Sequence, residues 1–259
     1  IPGLSFQRDK KRIYPNGALA AHVLGAVNVD NIGISGLEKW IETDGLATLR
    51  QSGIDLKSSA LNPIMTSLDI RVQYALEDEI GKAIKRYAAK AGAGLVLDVN
   101  TGEILALASL PTFDPNAPAD ALKPDRINRI AASVFEMGST FKALTTAMAL
   151  ESGQYTTRSM IDASKPVAFG RMRIRDFEGK YRPLSLQEAF IYSSNISMAK
   201  IAMQIGKDHH QEFLRRFGQM ETLRTELPET ATPMLPRKWG DITTATASFG
   251  HGIAVTPLQ

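Results

Sequence analysis

The architecture of this chain is indicated first by one stretch, Gly138-Ser139-Thr140-Phe141-Lys142. A helix through this stretch places Ser139 and Lys142 one turn apart on the same face. A serine in a first helical turn lies near unpaired N–H groups and the positive end of the helix dipole, which favour an oxyanion. A buried lysine loses its proton more readily than a solvated one. The spacing therefore indicates a serine nucleophile with a lysine base.

Serine and lysine are common residues, so this spacing by itself is not specific. A second copy, from Ser197 to Lys200, continues into an apolar helical pattern, and we expect it to have no catalytic role. Two features separate Ser139 from that copy. Gly138 stands directly before it, where we expect tight packing around a nucleophile to exclude a side chain. The stretch Ser193-Ser194-Asn195 follows 54 positions later.

Ser193-Ser194-Asn195 offers a second hydroxyl that can relay a proton and an amide that can hold a substrate. With a serine and a lysine, these groups equip a serine acyl-transferase that works without histidine. The other interpretation is a helix N-cap, because serine and asparagine are both favoured there. The two interpretations are compatible, since a loop at a helix start can present side chains into a cleft.

The composition is that of a globular chain: 259 residues, 44% hydrophobic, 22% charged, with a net charge of +3. This charge is too small to indicate nucleic acid binding, so no nucleic acid partner is expected. Cysteine is absent, which excludes disulfides and thiol catalysis. No apolar run approaches the ~18 residues of a membrane-spanning helix, and no signal peptide is predicted within the sequence.

The residue pattern predicts two regions with a boundary at Asn62-Pro63. The first is rich in glycine and short polar turns, and we expect it to be irregular and partly β. In the second, the pattern predicts a helix from Asp69 to about Gly92, a hairpin of strands 95–97 and 104–107 around Asn100-Thr101-Gly102, a proline-rich loop over 111–124, helices around both serine motifs, a β segment near 167–177, and a helix over 210–217.

Further stretches give the chain a resemblance to a known family. They are RIYP at 12–15 with AAHVLG at 20–25 and GISGLE at 33–38, TSLDIRVQ at 66–73, AGLVLD at 93–98 with TGEILA at 101–106, and SFGHG at 248–252 with VTPLQ at 255–259. With the serine motifs, the sequence resembles the class B penicillin-binding proteins, the monofunctional D,D-transpeptidases, and most closely their septal cell-division type. The stretches keep the family's order over nearly the whole chain, which is more specific than either serine motif alone.

The resemblance implies a fold and a division into domains. The fold is the α+β (α/β-type) serine transpeptidase or β-lactamase-like fold, with helices packed on an antiparallel sheet. Residues 1–62 are expected to belong to the family's non-catalytic pedestal, as a small irregular element, and residues 63–259 to its transpeptidase domain. No cofactor and no metal are implied.

The resemblance also implies roles for site residues. Ser139 attacks the D-alanyl-D-alanine carbonyl of a peptidoglycan stem peptide and forms an acyl-enzyme, with Lys142 as its base. Ser193 passes the proton to the leaving amine, and Asn195 hydrogen-bonds the substrate amide. The amine of a second stem peptide then closes the cross-link, and β-lactam antibiotics acylate the same serine.

One element of the family is missing, because the sequence contains no Lys-Thr-Gly or Lys-Ser-Gly. In the family that strand anchors the substrate carboxylate and supplies an oxyanion-hole N–H, whose loss costs ~10²–10³ in rate. The near match Asn100-Thr101-Gly102 lacks the lysine and is better explained as a hairpin turn. We therefore expect a C-terminally truncated chain that lacks the last sheet strands and has little or no activity in this form.

The resemblance further implies a protein of the bacterial inner membrane, with this part in the periplasm and an N-terminal anchor that is absent from this sequence. The expected partners are peptidoglycan stem peptides, β-lactams, and membrane proteins of cell-wall synthesis and division that dock on the pedestal. Two alternatives stay open. One is a β-lactam sensor or class D-like lactamase, which shares Ser-Thr-Phe-Lys, and the other is a non-catalytic division scaffold.

Three histidines have simpler explanations than catalysis. His209 and His210 lack acidic or cysteine partners at ligand spacing, so zinc binding is not expected. His251 is expected to pack or to form a hydrogen bond near the cleft rather than to act as a base.

Overall fold

The computed structural model describes residues 11–45 and 63–259, which group into two units. The first unit contains the described residues up to Ser133, with Arg224–Thr230 and Leu258. The second contains Val134–Leu223, Ala231–Pro257 and Gln259. The domain boundary predicted at 62–63 stays a prediction, because residues 46–62 lie outside the described ranges.

The first unit begins with short elements. They are helix α1 (Ala21–Leu24), strands β1 (Ala26–Val27) and β2 (Gly33–Ser35), helix α2 (Gly36–Trp40) and a π-helical turn (Ile41–Gly45). β1 and β2 pair antiparallel. Gly25 is required beside them, because a Cβ at this position would lie 1.7 Å from the Ser35 carbonyl oxygen. The described residues of this region are irregular and partly β, as the glycine-rich sequence predicts.

Helix α3 (Ile70–Tyr87) packs on an antiparallel hairpin formed by β3 (Gly92–Leu97) and β4 (Ile104–Leu110). Asp69 caps α3 by accepting the Arg71 N–H. The helix ends before the predicted Gly92, because Ala88 takes a left-handed conformation with φ of 50°. Both strands include the predicted residues and are longer than predicted. The predicted loop over 111–124 contains a 3₁₀ turn (Pro118–Leu122) and leads into a second one (Pro124–Arg126).

A buried side chain, Gln73, joins α3 to this hairpin. Its amide oxygen accepts the Leu107 N–H, and its amide nitrogen donates to the Leu107 carbonyl, both at 2.9 Å. The amide therefore pairs with β4 much as a neighbouring strand does. Leu107 also belongs to the apolar core of the unit, together with Val23, Ile130, Ala131 and Leu227.

The second unit carries both serine motifs. A 3₁₀ turn (Gly138–Thr140) is followed by α4 (Phe141–Glu151), β5 (Met160–Asp162), β6 (Val167–Phe169), β7 (Met172–Ile174), β8 (Pro183–Ser185), α5 (Leu186–Ile191), α6 (Asn195–Ile205), α7 (Lys207–Arg216) and α8 (Asp241–Ala247). β5 pairs with β8 and β6 with β7, each antiparallel. The predicted β segment contains the β6–β7 hairpin, and the predicted helix over 210–217 begins earlier, at Lys207.

Helices α4 and α6 contact each other in the centre of this unit. Met148 on α4 is fully buried, as are Met198 and Ile201 on α6. This packing fixes the N-terminal ends of both helices, where the two serine motifs lie. Helices and antiparallel strands together give the α+β class that the sequence predicts. None of the helices in the described ranges is long and apolar enough to cross a membrane.

Candidate active site

Ser139 lies in the 3₁₀ turn that leads into α4, with its side chain exposed. Gly138 before it has a φ of 57°, and a Cβ built on it meets no atom within 4 Å. The expectation that tight packing excludes a side chain at this position is therefore wrong. Glycine is favoured here because the backbone has a positive φ angle, which other residues rarely adopt. The tight contact comes from Gly250 instead, where a Cβ would lie 2.2 Å from the Gly138 carbonyl oxygen.

Lys142 lies in the first turn of α4 and is buried, with 2% of its surface exposed. Its Nζ lies 2.7 Å from the Ser193 Oγ and 2.5 Å from the Ser193 carbonyl oxygen. Burial lowers the pKa of this amine to about 8, and the negative charge of Asp176 partly opposes the shift. The amine can therefore be neutral near physiological pH, as a base must be.

Ser193 connects the lysine to the predicted nucleophile. Its Oγ donates to the Ser139 Oγ at 3.2 Å and accepts from Lys142. The residue has a left-handed backbone, with φ of 53°, directly before the cap of α6. Three of the four predicted site residues are thus joined in one hydrogen-bonded chain, in which Lys142 contacts Ser193 and Ser193 contacts Ser139.

Asn195, the fourth predicted residue, is the first residue of α6 and is half-buried. Its Nδ2 donates to the Arg175 carbonyl at 3.0 Å. This bond fixes the orientation of the amide, which lies two positions beyond Ser193. The N-cap of α6 is Ser194, which accepts the Ser197 N–H. The predicted helix cap is therefore Ser194, and the predicted site residues are its two neighbours, Ser193 and Asn195.

Asp176 was not identified from the sequence, although it holds the start of α6. One carboxylate oxygen accepts from the Ser194 hydroxyl and the other from the Ile196 N–H, each at 2.9 Å. Asp176 follows β7 and lies 18 positions before Ser194. No sequence motif links Asp176 to Ser194 over this distance. The sequence shows only that an acidic residue lies at the end of the predicted β segment.

A second group that the sequence did not reveal lies beside the Ser139 turn. The Glu136 carboxylate accepts the Gly252 N–H at 2.8 Å and contacts the His251 Nδ1 at 2.9 Å. The Gly252 N–H is also the main cause that lowers the pKa of this carboxyl. The expectation that His251 forms a hydrogen bond in this region is confirmed.

The other candidates do not form sites. Ser197 is fully buried and bonds to Ser194, whereas Lys200 bonds to the Asp162 carbonyl, so this second copy of the motif pairs no nucleophile with a base. His210 is buried against Trp239, and burial lowers its pKa to about 4. Residues 11–45 and 63–259 contain no group of three side chains placed to hold a metal.

Residues 92–259 match the family described as the penicillin binding protein transpeptidase domain. The chain belongs to this family. The match includes Ser139, Lys142, Ser193 and Asn195, and it begins with the first strand of the β3–β4 hairpin.

Curated members of the transpeptidase family align with all of this chain. The probable peptidoglycan D,D-transpeptidase FtsI of Caulobacter vibrioides is 40% identical over 258 residues, which are 100% of this chain and 42% of the relative. The peptidoglycan D,D-transpeptidase FtsI of Escherichia coli K12 is 31% identical over 274 residues, 100% of this chain and 46% of the relative. The chain therefore spans less than half the length of these relatives.

Solved structures of a penicillin-binding protein and of a protein described as a peptidoglycan glycosyltransferase share the fold of this chain. Penicillin binding protein 3 from Mycobacterium tuberculosis superposes with a TM-score of 0.81 and 25% identity, over 96% of this chain and 56% of that protein. A putative peptidoglycan glycosyltransferase from Atopobium parvulum gives a TM-score of 0.80 at 26% identity, over 96% of this chain and 59% of that protein. The fold is thus the predicted α+β serine transpeptidase fold.

Proposed function

We propose that the protein to which this chain belongs is a peptidoglycan D,D-transpeptidase that cross-links stem peptides and is inhibited by β-lactams. The observation that carries the proposal is the hydrogen-bonded chain from Lys142 through Ser193 to Ser139. The names of the FtsI relatives support a role in septal cell-wall synthesis.

In the first half of the proposed reaction, the two hydroxyl hydrogens rotate so that Ser139 donates to Ser193 and Ser193 donates to neutral Lys142. The amine then draws the Ser139 proton through Ser193. The Ser139 Oγ attacks the carbonyl between the two D-alanines and forms a C–O bond. The C–N bond to the terminal D-alanine then breaks, and the leaving amine takes its proton from Ser193, which Lys142 replenishes. The products are an acyl-enzyme and free D-alanine, and the lysine is neutral again.

In the second half, the amine of another stem peptide attacks the acyl carbonyl. It loses a proton to the Lys142–Ser193 pair, the new peptide bond forms, and the Ser139 Oγ leaves and recovers that proton. Asn195 is proposed to bind the backbone amide of the donor peptide, with its orientation set by the Arg175 carbonyl. A β-lactam undergoes the first half alone, because the opened ring stays attached to the enzyme.

Further proposals concern the whole protein. Residues 1–62 are proposed to be part of a pedestal that docks membrane proteins of division, and residues 63–259 to be part of the transpeptidase domain. A membrane anchor is proposed to hold the protein in the bacterial inner membrane with the site in the periplasm. Because the sequence given has no Lys-Thr-Gly strand, we expect efficient acylation in the full-length protein and weak or no acylation in residues 1–259.

The test is mass spectrometry after incubation with a penicillin, on residues 1–259 and on the full-length protein, each beside Ser139→Ala. A long-lived adduct on Ser139 of the full-length protein, absent from the variant, is the expected result. Rapid release of hydrolysed drug identifies the lactamase alternative. Absence of any adduct on the full-length protein overturns the enzymatic proposal and leaves the division scaffold.

A further inference from the structure

The Ser139 turn lies against another segment of the chain, Gly250–Gly252. The Gly138 N–H donates to the Gly250 carbonyl at 3.2 Å. A Cβ on Gly250 would lie 2.2 Å from the Gly138 carbonyl oxygen, so the two backbones are in direct contact. The position of the nucleophile turn therefore depends on where this segment lies.

The start of the segment is held by α8, because the N–H groups of Gly250 and His251 donate to carbonyls in the last turn of that helix. Gly250 and Gly252 both have positive φ angles, 73° and 80°, and only His251 between them carries a side chain. Glycine permits several backbone conformations at similar energy, so Gly252, which lies beyond these two bonds, needs a contact from outside to keep one of them. The residues that follow are fixed in another way, because Ile253 and Val255 belong to the buried core and Val255 pairs with Phe135.

Glu136 supplies such an outside contact, three positions before Ser139. One carboxylate oxygen accepts the Gly252 N–H at 2.8 Å, and the other contacts the His251 Nδ1 at 2.9 Å. The two side chains remain well exposed, at 47% for Glu136 and 64% for His251. Contacts between well-exposed side chains contribute little to folding stability, so the geometry is better explained by local positioning than by stability of the fold.

We propose that Glu136 is a positioning residue for the Ser139 nucleophile, which it serves by holding the Gly250–Gly252 segment against the nucleophile turn. The inference rests on the proposed acylation of Ser139. Its effect is on the reacting geometry, because a displacement of about 1 Å at a nucleophile can lower a rate ~10²-fold. Binding of the drug before reaction depends much less on this contact.

The test measures acylation of the full-length protein by a chromogenic cephalosporin over a range of concentrations, which separates the binding constant from the rate constant at saturation. Glu136→Ala removes both contacts, and we expect its saturating rate to fall about 10- to 100-fold with little change in binding. Glu136→Gln keeps an oxygen that accepts from Gly252 and should stay within about threefold of the wild type.

Glu212→Ala is the matched control, since Glu212 forms an exposed ion pair with Arg215 on α7, away from the site. It should leave both constants unchanged, and thermal unfolding should be similar in all variants. Wild-type acylation in Glu136→Ala overturns the inference, as does a loss that Glu136→Gln does not rescue. If the wild type itself is not acylated, it is the proposed function that fails.

Discussion

The Nζ of Lys142 lies 2.7 Å from the Oγ of Ser193. That hydroxyl is in turn the donor to Ser139, so the amine and the nucleophile communicate through a relay rather than by direct contact. Ser193 has a left-handed backbone and lies two residues before the start of α6.

The relay predicts that its members act as one unit. Lys142→Met and Ser193→Ala should each lower the acylation rate of the full-length protein ~10²–10⁴-fold, the usual range for loss of base catalysis. The double variant should be no slower than the slower single variant. The rates can be followed with a fluorescent penicillin, with Lys200→Met as an unaffected control. Independent, multiplicative losses would show that the two residues do not share a proton path.

The lowered pKa of Lys142 predicts a pH dependence of acylation. The neutral amine is the reactive form, and burial lowers its pKa to about 8. The rate should therefore rise about tenfold per pH unit below 8 and level off above it. Asp176→Asn should move this midpoint to lower pH, because the negative charge of Asp176 raises the pKa of Lys142. A midpoint that is unchanged in Asp176→Asn would argue against this electrostatic contact.

Gly250 should not tolerate a side chain. In Gly250→Ala, the Cβ would lie 2.2 Å from the Gly138 carbonyl oxygen, and the residue has a φ of 73°. The overlap should lower the free energy of unfolding by ~2 kcal/mol or more and displace the Ser139 turn. Gly81→Ala is the control, because α3 has room there and alanine stabilises a helix interior by ~1 kcal/mol. Chemical denaturation of both variants measures the contrast.

His210 should make the fold sensitive to acid. Within residues 11–45 and 63–259, neither ring nitrogen has a hydrogen-bond partner. Burial lowers the pKa of His210 to about 4, from an ordinary value near 6.5. Between these values the unfolded chain binds the proton and the folded chain does not. Stability should therefore fall as the pH drops from 6.5 towards 4, by ~3 kcal/mol in total.

Replacement of this side chain tests the assignment. His210→Leu should unfold at higher denaturant concentration at pH 7 and should lose this part of the acid sensitivity, because no buried imidazole remains to be protonated. The exposed neighbour His209 provides the control. His209→Gln should lose stability between pH 6.5 and 4 as steeply as the wild type. If His210→Leu loses stability between pH 6.5 and 4 as steeply as the wild type, other groups cause the acid sensitivity.

Local patterns in the sequence were sufficient to predict most of the helices and strands in the second predicted region. The apolar spacing after Asp69 predicts α3, and Asn100-Thr101-Gly102 lies in the turn of the predicted hairpin. The errors concern the ends of helices and strands, because the conformation of a single residue can determine where a helix stops. Ala88 ends α3 early because it becomes left-handed, which no residue type other than glycine signals reliably.

The chemical groups of the candidate site could be predicted from local spacing, because Ser139 and Lys142 are one helical turn apart and Ser193 and Asn195 adjoin a helix start. How these groups connect depends on the packing of distant segments. The bond between Ser139 and Ser193 joins residues 54 positions apart, and the contact of Glu136 with Gly252 spans 116. The first contact, and the burial that lowers the pKa of Lys142, exist only once α4 packs against α6. The second exists only once the Gly250–Gly252 segment lies against the Ser139 turn. Periodicity is a property of neighbouring residues, whereas desolvation and long-range hydrogen bonds depend on the packing of the whole unit.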